Sequence, residues 1–174
     1  MGTGIIVCGQ NGTGKSTLGK ALAEELGHHF IDSEDIYFPR AETYASPRTR
    51  EEAEAVLRGE IQAHPDFVLS TVKMEHGESF YPFFRWAVLI HVPRDIRLER
   101  VRNRSLQKFG SRMLPGGDLY EQEERFLEAV AAKAEDSVDE WIRALSCPVL
   151  RVDGTRPVRE NVAFIAGQLE RKLP

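Results

Sequence analysis

Cysteine is scarce in this sequence. Cys8 and Cys147 are the only two among 174 residues, too few for a disulfide framework or a thiolate metal site. Each lies in or beside an apolar segment, where cysteine behaves as a small buried hydrophobe. Long apolar runs are missing as well: none approaches the about 20 residues that a membrane-spanning helix needs. No basic n-region precedes an apolar core at the amino end, so no secretory signal is read there. These absences lead us to expect a cytoplasmic protein with no membrane partner. A basic excess is also lacking. Lys and Arg number 23 against 27 Asp and Glu, for a formal net charge of −4, which argues against a nucleic-acid partner. The histidines, His28, His29, His64, His76 and His91, show no metal-ligand spacing. There is no internal repeat, low-complexity tract or linker, so one domain over residues 1–174 is expected. No heptad or long apolar patch asks for a second copy, and a monomer is expected.

What is present begins with one stretch, Gly9-Gln10-Asn11-Gly12-Thr13-Gly14-Lys15-Ser16-Thr17. It fits G-x-x-x-x-G-K-[ST], the phosphate-binding P-loop. The apolar run Ile5-Ile6-Val7-Cys8 before it reads as a buried strand, and a helical pattern from Ser16 to Leu26 follows. That strand–loop–helix context is what the motif requires. Glycines let the backbone turn tightly, so that successive N–H groups point at phosphate oxygens. The helix beginning near Lys15 adds its positive dipole end. Lys15 is expected on the β and γ phosphates, and the Ser16 hydroxyl on Mg²⁺.

Strands and helices then alternate. Helix 15–26 ends at Gly27, a good C-cap. His29-Phe30-Ile31 reads as a second strand, ending in the acidic turn Asp32-Ser33-Glu34-Asp35. Residues 36–47 are irregular, with Pro39 and Pro47 as breakers. Thr49 with Glu52 fits a capping box for a helix to about His64. Phe67–Thr71 and Trp86–His91 read as the third and fourth strands. Lys73–Pro82, between them, reads as a polar loop, and its Lys73, Glu75 and His76 as surface. A basic helix is expected over 94–108, with Arg94, Arg97 and Arg102 facing solvent or in salt bridges. Phe109–Asp118 is too glycine-rich for regular structure. One long helical stretch is expected over 119–145, with a break near Asp136-Ser137. Pro148–Val152 reads as the fifth strand, Asp153–Pro157 as a turn, and the rest as an amphipathic helix to about Leu173. Phe80, Tyr81, Phe83, Phe84 and Trp86 read as packing residues. Arg40, Arg48 and Arg50 read either as anion contacts for a substrate or as ordinary surface. Alternation of this kind implies an α/β sandwich with a mainly parallel sheet. Ligands bind such sheets at the carboxyl ends of the strands. The P-loop, the acidic turn, Ser70-Thr71 and the 153–157 turn all fall on that edge.

With these residues in hand the chain resembles the small P-loop kinases of the nucleoside-monophosphate and shikimate kinase type. Four features carry the resemblance: the P-loop; Phe30-Ile31-Asp32-Ser33-Glu34, similar to the F-x-D-x-D of shikimate kinases; Val92-Pro93 followed by Arg100 and Arg104, as in adenylate-type kinases; and Val152-Asp153-Gly154-Thr155-Arg156-Pro157, similar to the turn that holds adenine. The resemblance implies a P-loop NTPase fold, a three-layer sandwich around a parallel five-stranded sheet of order 2-3-1-4-5. It also implies a small lid at about 105–118 and an acceptor-binding region at about 33–66. It implies ATP and Mg²⁺ as cofactors and a small molecule as phosphoryl acceptor. Asp32 would serve as metal ligand or general base, and Glu34 and Asp35 would contact the acceptor. Arg100 would lie against adenine, and Arg104 and Arg112 would reach the transferring phosphoryl group. Gly9, Asn11, Gly12, Thr13, Gly14, Lys15, Ser16 and Thr17 would hold the phosphates, and Gly154 and Thr155 would line the base pocket.

The sequence also departs from that pattern. Ser70-Thr71-Val72-Lys73-Met74-Glu75 carries neither the glycine triplet of shikimate kinases nor the D-G-F-P-R of adenylate kinases. No acidic residue ends the third strand. No N-K-x-D motif reads a guanine base, and the chain is too short, with no D-E pair ending an apolar strand, for an AAA-type motor. The reading from sequence is an ATP-dependent small-molecule kinase that moves the γ-phosphoryl group of MgATP to an unnamed hydroxyl or phosphate acceptor. The alternative is a nucleotide-binding ATPase or regulatory switch, or a kinase-fold protein without acceptor chemistry.

Overall fold

A computed structural model of the protein describes residues 2–39, 47–74 and 77–171. Five parallel strands form its centre: β1 (Gly4–Cys8), β2 (His29–Asp32), β3 (Phe67–Thr71), β4 (Phe84–His91) and β5 (Val149–Asp153). Their order is β2-β3-β1-β4-β5, as the resemblance implied. Central strands of a parallel sheet are covered on both faces, so they read as continuous apolar runs. All five residues of β1 and all five of β3 are buried.

Side-chain alternation divides the core in two. Ile6, Cys8, Leu69, Ala87 and Leu89 face α3 (Arg50–Ala63) and α6 (Ser137–Ile142), packing on Leu57, Ile61, Val138 and Ile142. Ile5, Val7, Val68, Val88 and Ile90 face α1 (Lys15–Leu26) and α7 (Val158–Glu170), packing on Leu18, Leu22, Ile165 and Leu169. The result is the three-layer sandwich. The expected caps are in place: Gly27 ends α1 at φ 66°, and Thr49 and Glu52 form the reciprocal capping box of α3. Phe80, Phe84 and Trp86 are buried packing residues, as their pattern suggested.

Several expectations are corrected. The acidic turn after β2 is a short helix, α2 (Ser33–Tyr37), because the Asp32 carboxylate caps it by accepting from the Glu34 N–H at 3.0 Å. The loop before β4 contains a 3₁₀ turn over Glu78–Phe83, held by burial of Phe80. The glycine-rich segment after α4 (Arg94–Phe109) also holds a 3₁₀ turn, Gly110–Met113, anchored by buried Met113. The expected long helix is two, α5 (Tyr120–Ala131) and α6, and the break begins earlier, in residues 132–136. There the Ala134 carbonyl accepts from Gln10 Nε2 instead of continuing a helix. Arg97 is in a salt bridge, with Glu135 at 2.7 Å, but it does not face solvent, for only 3% of it is exposed. Arg40, Glu75 and His76 lie outside the described residues. Among the described residues no helix is long and apolar enough to cross a membrane.

Candidate functional site

The P-loop connects β1 to α1, and its glycines are set by close neighbours. Gly12 has φ +83°, and a Cβ there would stand 2.4 Å from the Arg97 carbonyl oxygen. Thr13 turns inward and donates its hydroxyl to the Gln10 carbonyl at 2.9 Å. Lys15 begins α1 and is half-buried. Burial pushes its ammonium below the usual lysine range; Asp32 opposes that shift and Arg104 adds to it.

Hard oxygen donors meet beside it. Ser16 Oγ lies 3.3 Å from Ser70 Oγ, and Ser70 stands opposite Asp32 in the β2–β3 register. Ser16 and Asp32 therefore face one region at the carboxyl ends of adjacent strands. The donor set suits Mg²⁺, which favours carboxylate, hydroxyl and water oxygens.

These residues open onto a cavity of about 520 Å³. Asn11, Lys15 and Ser16 line it from the P-loop, and Asp32 and Glu34 from the β2–α2 junction. Arg104 and Lys108 come from α4, and Glu123 and Phe126 from α5. Residues from both expected segments, 33–66 and 105–118, are among those that line it. Asp35 is exposed and is not among the lining residues; its carbonyl, with that of Ile36, accepts from Arg48 at 3.1 and 2.6 Å. Arg50 pairs with Glu54 at 2.7 Å on its own helix. Neither Arg48 nor Arg50 lines the cavity. Arg112 does not line it either: its guanidinium makes two bonds to Asp118, at 3.0 and 2.7 Å, across the tip of the glycine-rich segment.

On the other side of the P-loop, Arg100 donates to the Gly154 carbonyl from both terminal nitrogens at 3.2 Å, and to the Gly12 carbonyl at 3.4 Å. It joins the loop to the 153–155 turn. That turn is shaped by Asp153, whose Oδ1 accepts from the Thr155 N–H at 2.8 Å and from its hydroxyl at 2.6 Å. A Cβ on Gly154 would stand 2.6 Å from the Ile90 and Val92 side chains and 2.9 Å from the Thr13 carbonyl. Gly154 therefore lets the turn approach the loop.

Sequence reasoning missed the residues that brace the loop. Buried Arg97 donates to the Val92 and Asn11 carbonyls at 3.1 and 3.4 Å and grips Glu135 with two bonds. Lys133 donates to Asn11 Oδ1 at 3.0 Å, and Gln10 Nε2 to Ser137 Oγ at 2.9 Å. Arg97 had a visible signal, since it shares the buried face of α4 with Val101 and Ser105. Glu123 had the same signal on α5, with Leu127 and Val130.

Two of the histidines meet in the fold. The fold stacks His29 on His64, with ring centroids 3.8 Å apart, and Glu60 bonds His29 Nε2 at 2.8 Å. The three possible ligand atoms lie within 4.8 Å of one another. Near-parallel stacked rings, 19° apart, do not aim their in-plane lone pairs at one point. The cluster sits at the amino end of β2, away from the ligand edge.

The fold and the loop at its switch point define a P-loop protein of the small-kinase type. The sequence profile of the AAA_18 family, described as an AAA domain, matches residues 5–128, and the chain belongs to that family. It is 31% identical over 170 residues to the uncharacterized protein YqaC of Bacillus subtilis (strain 168), covering 93% of this chain and 94% of that one. It is 30% identical over 130 residues to a shikimate kinase of Gloeobacter violaceus, covering 68% of this chain and 71% of the relative. Among solved structures it resembles a shikimate kinase from Bacteroides thetaiotaomicron, with a TM-score of 0.62 at 20% identity, over 97% of this chain and 98% of that one. At that identity the likeness is one of fold.

Proposed function

We propose that this protein is an ATP-dependent phosphotransferase that moves the γ-phosphoryl group of MgATP to a hydroxyl of a small molecule. The observation that carries this reading is the shared cavity, which joins Lys15 and Ser16 of the P-loop to Asp32, Glu34 and Arg104. A protein that only bound and released nucleotide would not need charged and aromatic side chains from the β2–α2 junction, α4 and α5 gathered in the cavity that Lys15 and Ser16 line. Nucleotide binding follows from the P-loop, with Gly9 to Thr17 around the phosphates and Arg100, Gly154 and Thr155 at the base end.

In this reading the acceptor oxygen forms a bond to the γ-phosphorus as the bond to the β,γ-bridging oxygen breaks. The electron pair stays on the departing ADP, and the acceptor proton passes to the Asp32 carboxylate. Mg²⁺, held through Ser16 and Asp32, would supply charge neutralisation between the phosphates. Lys15 and Arg104 stabilise the charge that develops on the moving group, which is the main contribution a protein makes to such a transfer. Residues 33–66 form the acceptor side and 105–118 the lid, within one domain. Glu34 contacts the acceptor, while Asp35 supports it through the Arg48 tie. Arg112 reaches the phosphoryl group only when its pair with Asp118 opens.

The test is ADP release with and without a panel of hydroxyl acceptors, in wild type and in Lys15→Ala and Asp32→Asn. Acceptor-stimulated turnover that both variants lose by 10²-fold or more supports the reading. Folded variants with undiminished turnover, or nucleotide hydrolysis that no acceptor accelerates, overturn it.

A further inference from the structure

Glu123 is a carboxylate where the helix pattern calls for an apolar residue. It shares one face of α5 with Leu127 and Val130, and only 5% of it is exposed. Among the described residues its Oε2 has no hydrogen-bond partner. A buried carboxylate oxygen left unpaired is costly, and native structures seldom retain one without use. Glu123 also lines the cavity that holds Lys15 and Asp32. The first turn of α5 tolerates the charge through the helix dipole, but it offers this oxygen no partner.

The surroundings restrict what that partner is. Phe38, Phe109 and Phe126 form apolar walls, with Tyr37 beside them. Lys15, Asp32 and Arg104 are assigned above to the phosphates and the metal. Among the remaining described lining residues, Glu34 and Glu123 oppose one cation, Lys108, whose ammonium lies 5.3 Å from the centre of the Phe109 ring. The part of the cavity around Glu123 is thus aromatic, with one carboxylate oxygen left to pair. A carboxylate-bearing acceptor would face the Glu123 carboxylate there. An ammonium group would satisfy the free Glu123 oxygen with a charge-assisted bond and would also be attracted to the aromatic faces.

We propose that the acceptor is an amine-bearing alcohol with an apolar or aromatic flank, and that Glu123 selects it by binding its ammonium group. This rests on the phosphotransferase reading, and the experiment separates the two. One matched pair, pyridoxamine against 4-pyridoxate, differs only in the group on ring carbon 4; a second pair, glucosamine against glucuronate, sets an amine against a carboxylate on one sugar ring, at different carbons. Each is titrated calorimetrically into the protein with MgADP, and each is assayed for ATP-dependent phosphorylation.

The expected result is that each amine binds at least tenfold tighter than its carboxylate counterpart. Glu123→Gln should weaken amine binding about 10- to 100-fold, as loss of a charge-assisted bond implies. The change should fall on acceptor KM more than on kcat, with nucleotide affinity retained. Glu123→Leu completes the apolar stripe, so it should fold, melt higher than wild type and lose amine preference equally. Carboxylates binding as well as amines, an unchanged preference in Glu123→Gln, or no binding of any probe would overturn the inference. Preferential amine binding without phosphoryl transfer would leave the inference standing and count against the kinase reading.

Discussion

Arg97 grips Glu135 through one guanidinium nitrogen, Nη2, at 2.7 and 2.8 Å from the two carboxylate oxygens. The arginine is 3% exposed and the glutamate 54%. The same guanidinium holds the Val92 and Asn11 carbonyls. One side chain thus links β4, the P-loop and the α5–α6 junction. Glu135→Ala leaves the buried guanidinium short of its charged partner, but water reaches the exposed side. We expect a loss of about 1–2 kcal/mol, a fall in Tm of several degrees, and a smaller Tm rise on adding MgADP. A thermal melt with and without nucleotide reads both. Unchanged melting and nucleotide response would show that Glu135 does not brace the loop.

Lys15 is held at a cost. Burial disfavours its charged form more than Asp32 favours it, and Arg104 adds to the penalty. The sign follows from linkage. A lysine whose folded pKa is depressed destabilises the fold while protonated, and the penalty fades as pH rises through that value toward the unfolded pKa of about 10.4. Lys15→Met should therefore raise the Tm of the nucleotide-free protein at pH 7, by less as the pH approaches 10. It should also abolish the Tm rise with MgATP. A variant that melts lower at pH 7 would refute the burial argument.

Two glycines are needed for close approach. Gly12→Ala places a Cβ in a left-handed backbone and 2.4 Å from the Arg97 carbonyl oxygen. Gly154→Ala drives the 153–155 turn away from β4 and from Thr13. Nucleotide affinity should fall at least tenfold in each, measured by calorimetry with MgADP. Gly14 offers a contrast: its φ of +88° strains any side chain, but a Cβ would meet nothing within 4 Å. Gly14→Ala should therefore be the milder variant for folding stability.

The two thiols should differ in reactivity. Burial pushes Cys8 up to about 12, with Asp139 and Cys147 adding to the shift. Its Sγ lies 3.5 Å from the Val88 carbonyl inside the core. Cys147 is half-buried, and burial raises it too. Iodoacetamide at pH 8 should modify Cys147 slowly and leave Cys8 intact until denaturant is added. Mass spectrometry of the labelled peptides decides it; Cys8 labelling in native protein would contradict its place in the sheet.

Much of this was legible along the chain. The P-loop between an apolar run and a helical period announced β1 and α1, because those geometries are local. The capping box at Thr49 and Glu52 marked the start of α3 for the same reason. Short elements held by tertiary burial were missed: the 3₁₀ turns anchored by Phe80 and Met113 have no local period. The helix break near Asp136 was legible locally, but its earlier start at 132 was not, nor was the bond that Gln10, 124 residues away, makes to the Ala134 carbonyl inside it.

The sequence by itself determined the strand order, through the resemblance, and the phosphate-binding loop, because both depend on residues close in sequence or in a fixed order. Only the tertiary structure decided which charged residues matter around that loop. Arg97 and Arg102 look alike in the chain, yet one is buried against the P-loop and the other pairs with Glu124 at the surface. Glu123 and Glu121 share a helix turn, and only Glu123 turns inward. A side chain's charge is written in the sequence. Whether water or a cavity surrounds it depends on which helices pack across it.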